Sequence, residues 1–188
     1  MKKLIEGNAF KFGDNIDTDL IAPAMTISFG IADKHEQLDV MIHAFEEIRP
    51  DFYKEVTPGS ILIAGRNFGF GSHREQATTV ISHMGFDIIL AESVARLYQR
   101  NSIAIGFPVL EVPGITKIVS EGDLLRIDLE KWKLKNISTN EKITLQPLSD
   151  TALKIIEHGG IIPYMAVKLD SEKKAKYLEE QGLTRKQI

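Results

Sequence analysis

The sequence predicts an α/β fold, with a small parallel β-α-β core followed by a β-rich half whose strands run antiparallel. Three observations predict it. Between residues 60 and 112, short apolar runs alternate with helical patterns, the reading expected of parallel strands and their crossover helices. After Gly114 that alternation stops, and LLRIDL, KWKLKN and EKITLQ follow with the polar turns SEGD and STNE among them. The 188 residues, 43% hydrophobic and 26% charged, suit one substantial domain with its own core.

The elements are justified in chain order. Residues 14–34, DNIDTDLIAPAMTISFGIADK, show neither helical nor strand period; Asp14, Asn15, Pro23 and Gly30 mark turns, which predicts a long ordered loop. Leu38, Met41, Ile42, Phe45 and Ile48 share one helical face, and Pro50 ends that helix. SILIAG is a strand, and Ala77, Val80, Ile81 and Met84 stripe the next helix, which Gly85 stops. DIILA, SVARLYQRN and FPVLEV continue as strand, helix and strand. Trp132 falls on a strand, half-buried. Ser149 opens the helix TALKIIEH, closed by Gly159 and Gly160. The domain is expected to span residues 1–169, and the charged segment 170–188 to form an exposed helix or loose tail.

Composition narrows the chemistry. A formal charge of −3 lacks the basic footprint of a nucleic-acid binder. No apolar run reaches the length of a membrane span, and Glu6, Gly7 and Asn8 interrupt any signal-peptide core, so a cytoplasmic protein is expected. The chain contains no cysteine. It therefore carries no disulfide, no thiol nucleophile and no thiolate-held iron–sulfur centre of its own.

The most informative stretch is GRNFGFGSHREQA, residues 65–77, where a strand feeds a glycine turn and four polar residues. It does not match the phosphate-binding G-x-x-x-x-G-K-[ST], and Arg74 stands where the dinucleotide pattern needs its third glycine. Two readings fit. In one, Ser72 and Glu75 form a capping box, the hydroxyl accepting from the N–H of Glu75 and the carboxylate reaching back. In the other, Ser72 and Arg74 sit in the first turn of a helix, whose unpaired N–H groups and a planar cation hold an anion. The two are compatible.

These residues carry a resemblance. DNIDTDLIAPA, AGRNFGFGSHREQA and SVARLYQRNSIAIGFPVLE, followed by EGD, KNIS and HGGIIPY in order, resemble the small subunits of 3-isopropylmalate dehydratases, within the aconitase superfamily. The similarity runs from Phe12 to Leu169 and implies that superfamily's swivelling β/β/α domain. It further implies a hydro-lyase of leucine biosynthesis, active only with a large subunit that holds a [4Fe–4S] cluster. The substrate would be a small hydroxy-dicarboxylic acid. Carried over by position, Ser72 corresponds to the serine that takes a proton from carbon, and Arg74 to the arginine that binds a substrate carboxylate. Asp19 matches an acidic residue of the same site, with Thr18 and Gly71 beside it, while Asp17 reads equally as turn chemistry.

The chain departs from that pattern in three places. Phe70 replaces a usual cysteine, a difference expected to affect packing. His73 stands where a second serine is usual, either as a titratable donor at the substrate or as a solvent-facing residue. AMTISFG replaces a loop that usually carries an arginine, so Met25, Thr26 and Ile27 are the expected substrate-selecting positions, with an apolar wall favouring an alkyl-bearing substrate. The small subunit of a related hydratase, acting on homoaconitate or a methyl-substituted malate or maleate, and a non-catalytic anion-binding or assembly subunit are the rival readings.

Overall fold

The structure is a computed structural model describing residues 2–23, 34–72 and 74–169, with the side chains of 34–37 excepted. The tail 170–188 and the positions Met25, Thr26, Ile27 and His73 lie outside the described residues.

A single seven-stranded sheet in the order β4-β3-β2-β1-β5-β6-β7 organises the domain. Its strands are β1 (Leu4–Lys11), β2 (Ser60–Ala64), β3 (Phe86–Ala91), β4 (Val109–Glu111), β5 (Leu124–Asp128), β6 (Lys133–Asn136) and β7 (Lys142–Thr144). Pairings from β1 to β4 are parallel, and those from β1 through β5 and β6 to β7 are antiparallel. Both predicted halves are therefore present, but they are one sheet joined by a strand that the periodicity does not reveal. β1 reads LIEGNAFK, with two weak strand formers at its centre. Gly7 has a physical reason: a Cβ there would sit 2.0 Å from the carbonyl oxygen of Gly59. Close approach of two backbones, not propensity, sets that residue.

Two cores form on the two faces. Alternation along β2 sends Leu62 and Ala64 to one and Ile61 and Ile63 to the other. The first core lies under α1 (Thr18–Ile21), α2 (Lys34–His43), α3 (Gln76–Met84) and α4 (Arg96–Ala104). Phe12, Phe45 and Phe52 knit it together, Phe12 stacking on Phe45 at 4.5 Å between centroids and Phe52 meeting both edge-on. The second core gathers Ile88, Leu90, Leu110, Leu125, Ile127 and Leu134, with α5 (Ile115–Ile118) over it. α6 (Asp150–Glu157) and α7 (Ile161–Lys168) pack with α4. Ser149 caps α6 as expected, its hydroxyl accepting from the N–H of Ala152 at 3.3 Å.

Two expectations need correction. The helix over residues 38–48 ends early, at His43, because Phe45 adopts a left-handed φ of 61° that no α-helix continues through. Leu38, within α2, and Ile48, beyond its end, are both exposed, and Val40, Ala44 and Phe45 supply the buried contacts. Trp132 is half-buried as expected, but sits at φ 53° in the turn before β6 rather than on a strand. Also unforeseen were α1, α5 and α7.

Glu92, just past β3, locks α5 to the sheet. Its carboxylate accepts from the N–H groups of Gly114 (2.6 Å) and Thr116 (2.9 Å) and from the Thr116 hydroxyl. Burial alone would raise its pKa, and these hydrogen bonds together outweigh burial, so the carboxyl is held below the usual 4.5. A depressed folded-state pKa stabilises the fold above the unfolded value, and that stability is lost as the pH falls through the folded one. Urea midpoints of the native chain should therefore drop steeply below 4.5, with Glu92→Gln giving a flatter pH profile and about 1–2 kcal/mol less stability at neutral pH. Parallel profiles would place the acid lability elsewhere.

Candidate active site

The carboxyl ends of the parallel strands β1, β2 and β3 all open at one edge of the sheet, where open α/β sheets place ligands. Three loops leave from there: residues 12–17, 65–72 and 92–95. Asp14 clasps the first two, its Oδ1 accepting from the N–H of Arg66 at 2.7 Å. That backbone hydrogen bond leads the causes that hold its carboxyl below the usual carboxylate range. Asn67 donates to Asn15 at 3.0 Å, and its N–H donates to the Ser93 hydroxyl at 3.0 Å, which ties in the third loop. Both asparagines are left-handed, at φ 59° and 60°, a conformation this residue type tolerates best among non-glycines. Sequence reasoning missed these clasps; two asparagines in turn-rich segments were the available signal.

Farther along, residues 16–18 and 69–72 run side by side as a short parallel ladder. Gly69 N–H donates to the Ile16 carbonyl (2.7 Å), and Thr18 N–H donates to that of Phe70 (2.9 Å). The Ser72 N–H then donates to the buried Thr18 hydroxyl at 2.8 Å. Thr18 therefore fixes the main chain of Ser72 from below. Asp17 has the turn role, capping α1 by accepting from the N–H groups of Asp19 and Leu20. That cap fixes the N–H of Asp19, two residues on.

Ser72, Arg74 and Asp19 are brought together. Arg74 Nε donates to Ser72 Oγ at 3.1 Å, and its Nη2 donates to Asp19 Oδ1 at 2.6 Å. The Arg74 N–H also donates to Ser72 Oγ, at 3.4 Å. One guanidinium thus bridges the hydroxyl and the carboxylate. Ser72 and Arg74 are half-buried, while Asp19 and Gly71 face solvent. The ion pair is too exposed to add much stability, so its value here is geometric.

The capping box is not formed. α3 starts at Gln76, four residues after Ser72, with Glu75 as its N-cap and no side-chain hydrogen bond there. The Ser72 hydroxyl faces Arg74 instead, and neither residue lies in the helix's first turn. Phe70 also differs from expectation, since it is 41% exposed and outside both cores rather than packed. Gly71 stands between it and Ser72 at φ 105°.

A buried side chain supports the turn from behind. Tyr98 on α4 packs edge-on against Phe68 and donates its hydroxyl proton to the Ala77 carbonyl at 3.0 Å. Burial pushes its phenol well above the ordinary value. It therefore stays neutral and serves as a wall behind the glycines. Chemically, a serine oxygen that accepts from a guanidinium and an amide N–H is arranged to carry negative charge. Both Arg74 donors on Nη1 remain unclaimed among the described residues and can take a carboxylate. Among the described residues no group of three or more His, Asp or Glu side chains could hold a metal ion, and no helix is long and apolar enough to cross a membrane.

Comparison with known proteins shows the family and the fold. Residues 14–114 match the family described as the aconitase C-terminal domain. The isopropylmalate/citramalate isomerase small subunit of Methanocaldococcus jannaschii is 40% identical over 169 residues, covering 90% of this chain and 98% of that protein. The methanogen homoaconitase small subunit of Methanothermobacter thermautotrophicus is 37% identical over 172 residues, covering 91% and 96%. The crystal structure of 3-isopropylmalate dehydratase from Methanocaldococcus jannaschii superposes with a TM-score of 0.77 at 31% identity, covering 95% of this chain and 99% of that one.

Proposed function

We infer from the aconitase C-terminal domain family, to which the chain belongs, that it is the small subunit of a two-subunit hydro-lyase. The complex interconverts hydroxy-dicarboxylic acids by removing and re-adding water, with 2-isopropylmalate and 3-isopropylmalate, the leucine-pathway pair, as the favoured substrates. The observation that carries the reading is the single guanidinium held between Ser72 Oγ and Asp19.

Each residue of this chain has a part. Ser72 Oγ takes the proton from the carbon adjacent to the one bearing the hydroxyl group. Its oxyanion form is stabilised beforehand by Arg74 Nε–H and the Arg74 N–H. Asp19 turns the guanidinium so that Nη1 faces outward to a substrate carboxylate. Thr18 keeps the Ser72 backbone still while charge moves. His73, as a substrate-binding residue, and Met25, Thr26 and Ile27, as substrate-selecting positions, are assigned on the resemblance alone. The [4Fe–4S] cluster that the resemblance implies would be held by the large subunit and would supply a Lewis acid for the departing hydroxyl; this chain, which has no cysteine, offers no thiolate to it. The two chains together form a cytoplasmic heteromer.

The test is anaerobic reconstitution with the cluster-bearing large subunit, followed by a substrate panel. Isopropylmaleate should be hydrated only when both chains are present, with a higher kcat/KM than homoaconitate or methyl-substituted maleates. A different preferred acid would reassign the substrate and keep the reaction. Absence of hydration across the whole panel would leave this chain a non-catalytic subunit.

A further inference from the structure

Among the described residues, the antiparallel half leaves one face of the sheet uncovered, and that face is cationic. Glu6, Arg126, Lys135 and Lys142 stand directly opposite one another across β1, β5, β6 and β7. Lys133, two residues before Lys135, shares their face, while Leu125, Ile127 and Leu134 on the other side are buried in the second core. Glu6 neutralises only Arg126, at 2.6 Å. Asp128 is already engaged by Lys131 at 3.3 Å and by the N–H groups of Glu130 and Lys131. Lys133 stands directly opposite Asp128, but among the described residues Lys133, Lys135 and Lys142 form no ion pair within 4 Å.

Like charges directly opposite one another in adjacent strands destabilise a sheet, and here the pairs Arg126–Lys135 and Lys135–Lys142 are both of that kind. A chain of net charge −3 has ample carboxylates to interleave, yet on this face only Glu6 and Asp128 do so, each already engaged by another cation. Arg126 and the three lysines line a groove of about 410 Å³ together with Asp128, Thr144, Leu134 and Ile143. Three strands set the cations over a span of roughly 10 Å, since neighbouring strands lie about 4.8 Å apart. An anion that relieves all of them needs several charges spaced a few ångströms apart along a line. Ammonium groups act as point charges toward phosphate oxygens, which suits a chain of phosphates better than a single carboxylate. We propose that the bare face of β5–β7 binds a small polyphosphate anion, either free or as the phosphate tail of a nucleotide.

The full chain is titrated with tripolyphosphate, diphosphate, ADP and inorganic phosphate, by calorimetry and by thermal melting. Tripolyphosphate should bind and raise the Tm, and inorganic phosphate should bind at least about tenfold more weakly, because it meets fewer cations at once. ADP matching diphosphate would show that the phosphate chain alone is recognised; ADP binding tighter would give the site a nucleotide tail. Either supports the proposal. The triple variant Lys133→Gln, Lys135→Gln, Lys142→Gln should lose about 10- to 100-fold in affinity. Its ligand-free Tm should equal or exceed that of the native chain, because repulsion is removed. Lys117→Gln, Lys154→Gln, Lys168→Gln changes the net charge equally and should bind as the native chain does. Equal losses in both triple variants, or no polyphosphate binding by the native chain, would overturn the proposal. So would absent polyphosphate binding combined with weakened large-subunit association in the first triple variant, an outcome that assigns the face to a protein partner.

Discussion

Ser72→Ala is expected to lower kcat of the reconstituted complex by about 10²- to 10⁴-fold, the usual contribution of a positioned general base. KM should change little, since the carboxylate contacts remain on Arg74. The variant isolates one atom. Alanine keeps the main-chain N–H that donates to Thr18, so the turn stays in place, and only the hydroxyl that accepts from Arg74 is lost. Circular dichroism and association with the large subunit should match the native chain. Under this reading the loss appears in kcat and kcat/KM together, as for an interaction realised only in the transition state. A rise in KM at unchanged kcat would make Ser72 a binding residue. Full turnover would move the base to another side chain, and His73 would be the next to replace.

Much of this arrangement was legible in the sequence, and the exceptions have physical causes. The strands SILIAG and DIILA are buried on both faces and read as unbroken apolar runs, which composition exposes directly. β1 stayed hidden because its identity depends on a partner: Gly7 is there to let the Gly59 carbonyl approach, and only the assembled sheet discloses that need. At the site, the pairing of Asp19 with Arg74 spans 55 positions, and no periodicity links residues so far apart. The resemblance brought both residues to the site without their contact. The capping box failed for a local reason. S-x-x-E is a helix start only where the helix begins at the serine, and here Thr18 holds the Ser72 N–H in an extended turn that delays the helix to Gln76.

Gly69→Ala tests whether that turn depends on its backing, and a loss of about 3–5 kcal/mol is expected, at the severe end for a single substitution. Two costs combine. Gly69 sits at φ 74°, where a side chain costs about 1–2 kcal/mol. A Cβ would also lie 2.3 Å from Cγ and 2.5 Å from Cδ2 of Tyr98. That ring cannot retreat, because Phe68 packs on it at 5.2 Å and its hydroxyl is held at 3.0 Å by the Ala77 carbonyl. Gly114→Ala separates the two costs, since Gly114 has a φ of 89° with nothing within 4 Å of its Cβ position. It should lose only the conformational part. Urea denaturation of both variants gives the comparison, and equal losses would mean that Tyr98 yields and provides no wall. Catalysis adds a second readout. Ser72 follows Gly69 by three residues, so a turn pushed off Tyr98 misplaces the hydroxyl against Arg74. In complex below its melting range, Gly69→Ala should therefore lose kcat well beyond its unfolded fraction, whereas Gly114→Ala should keep native turnover.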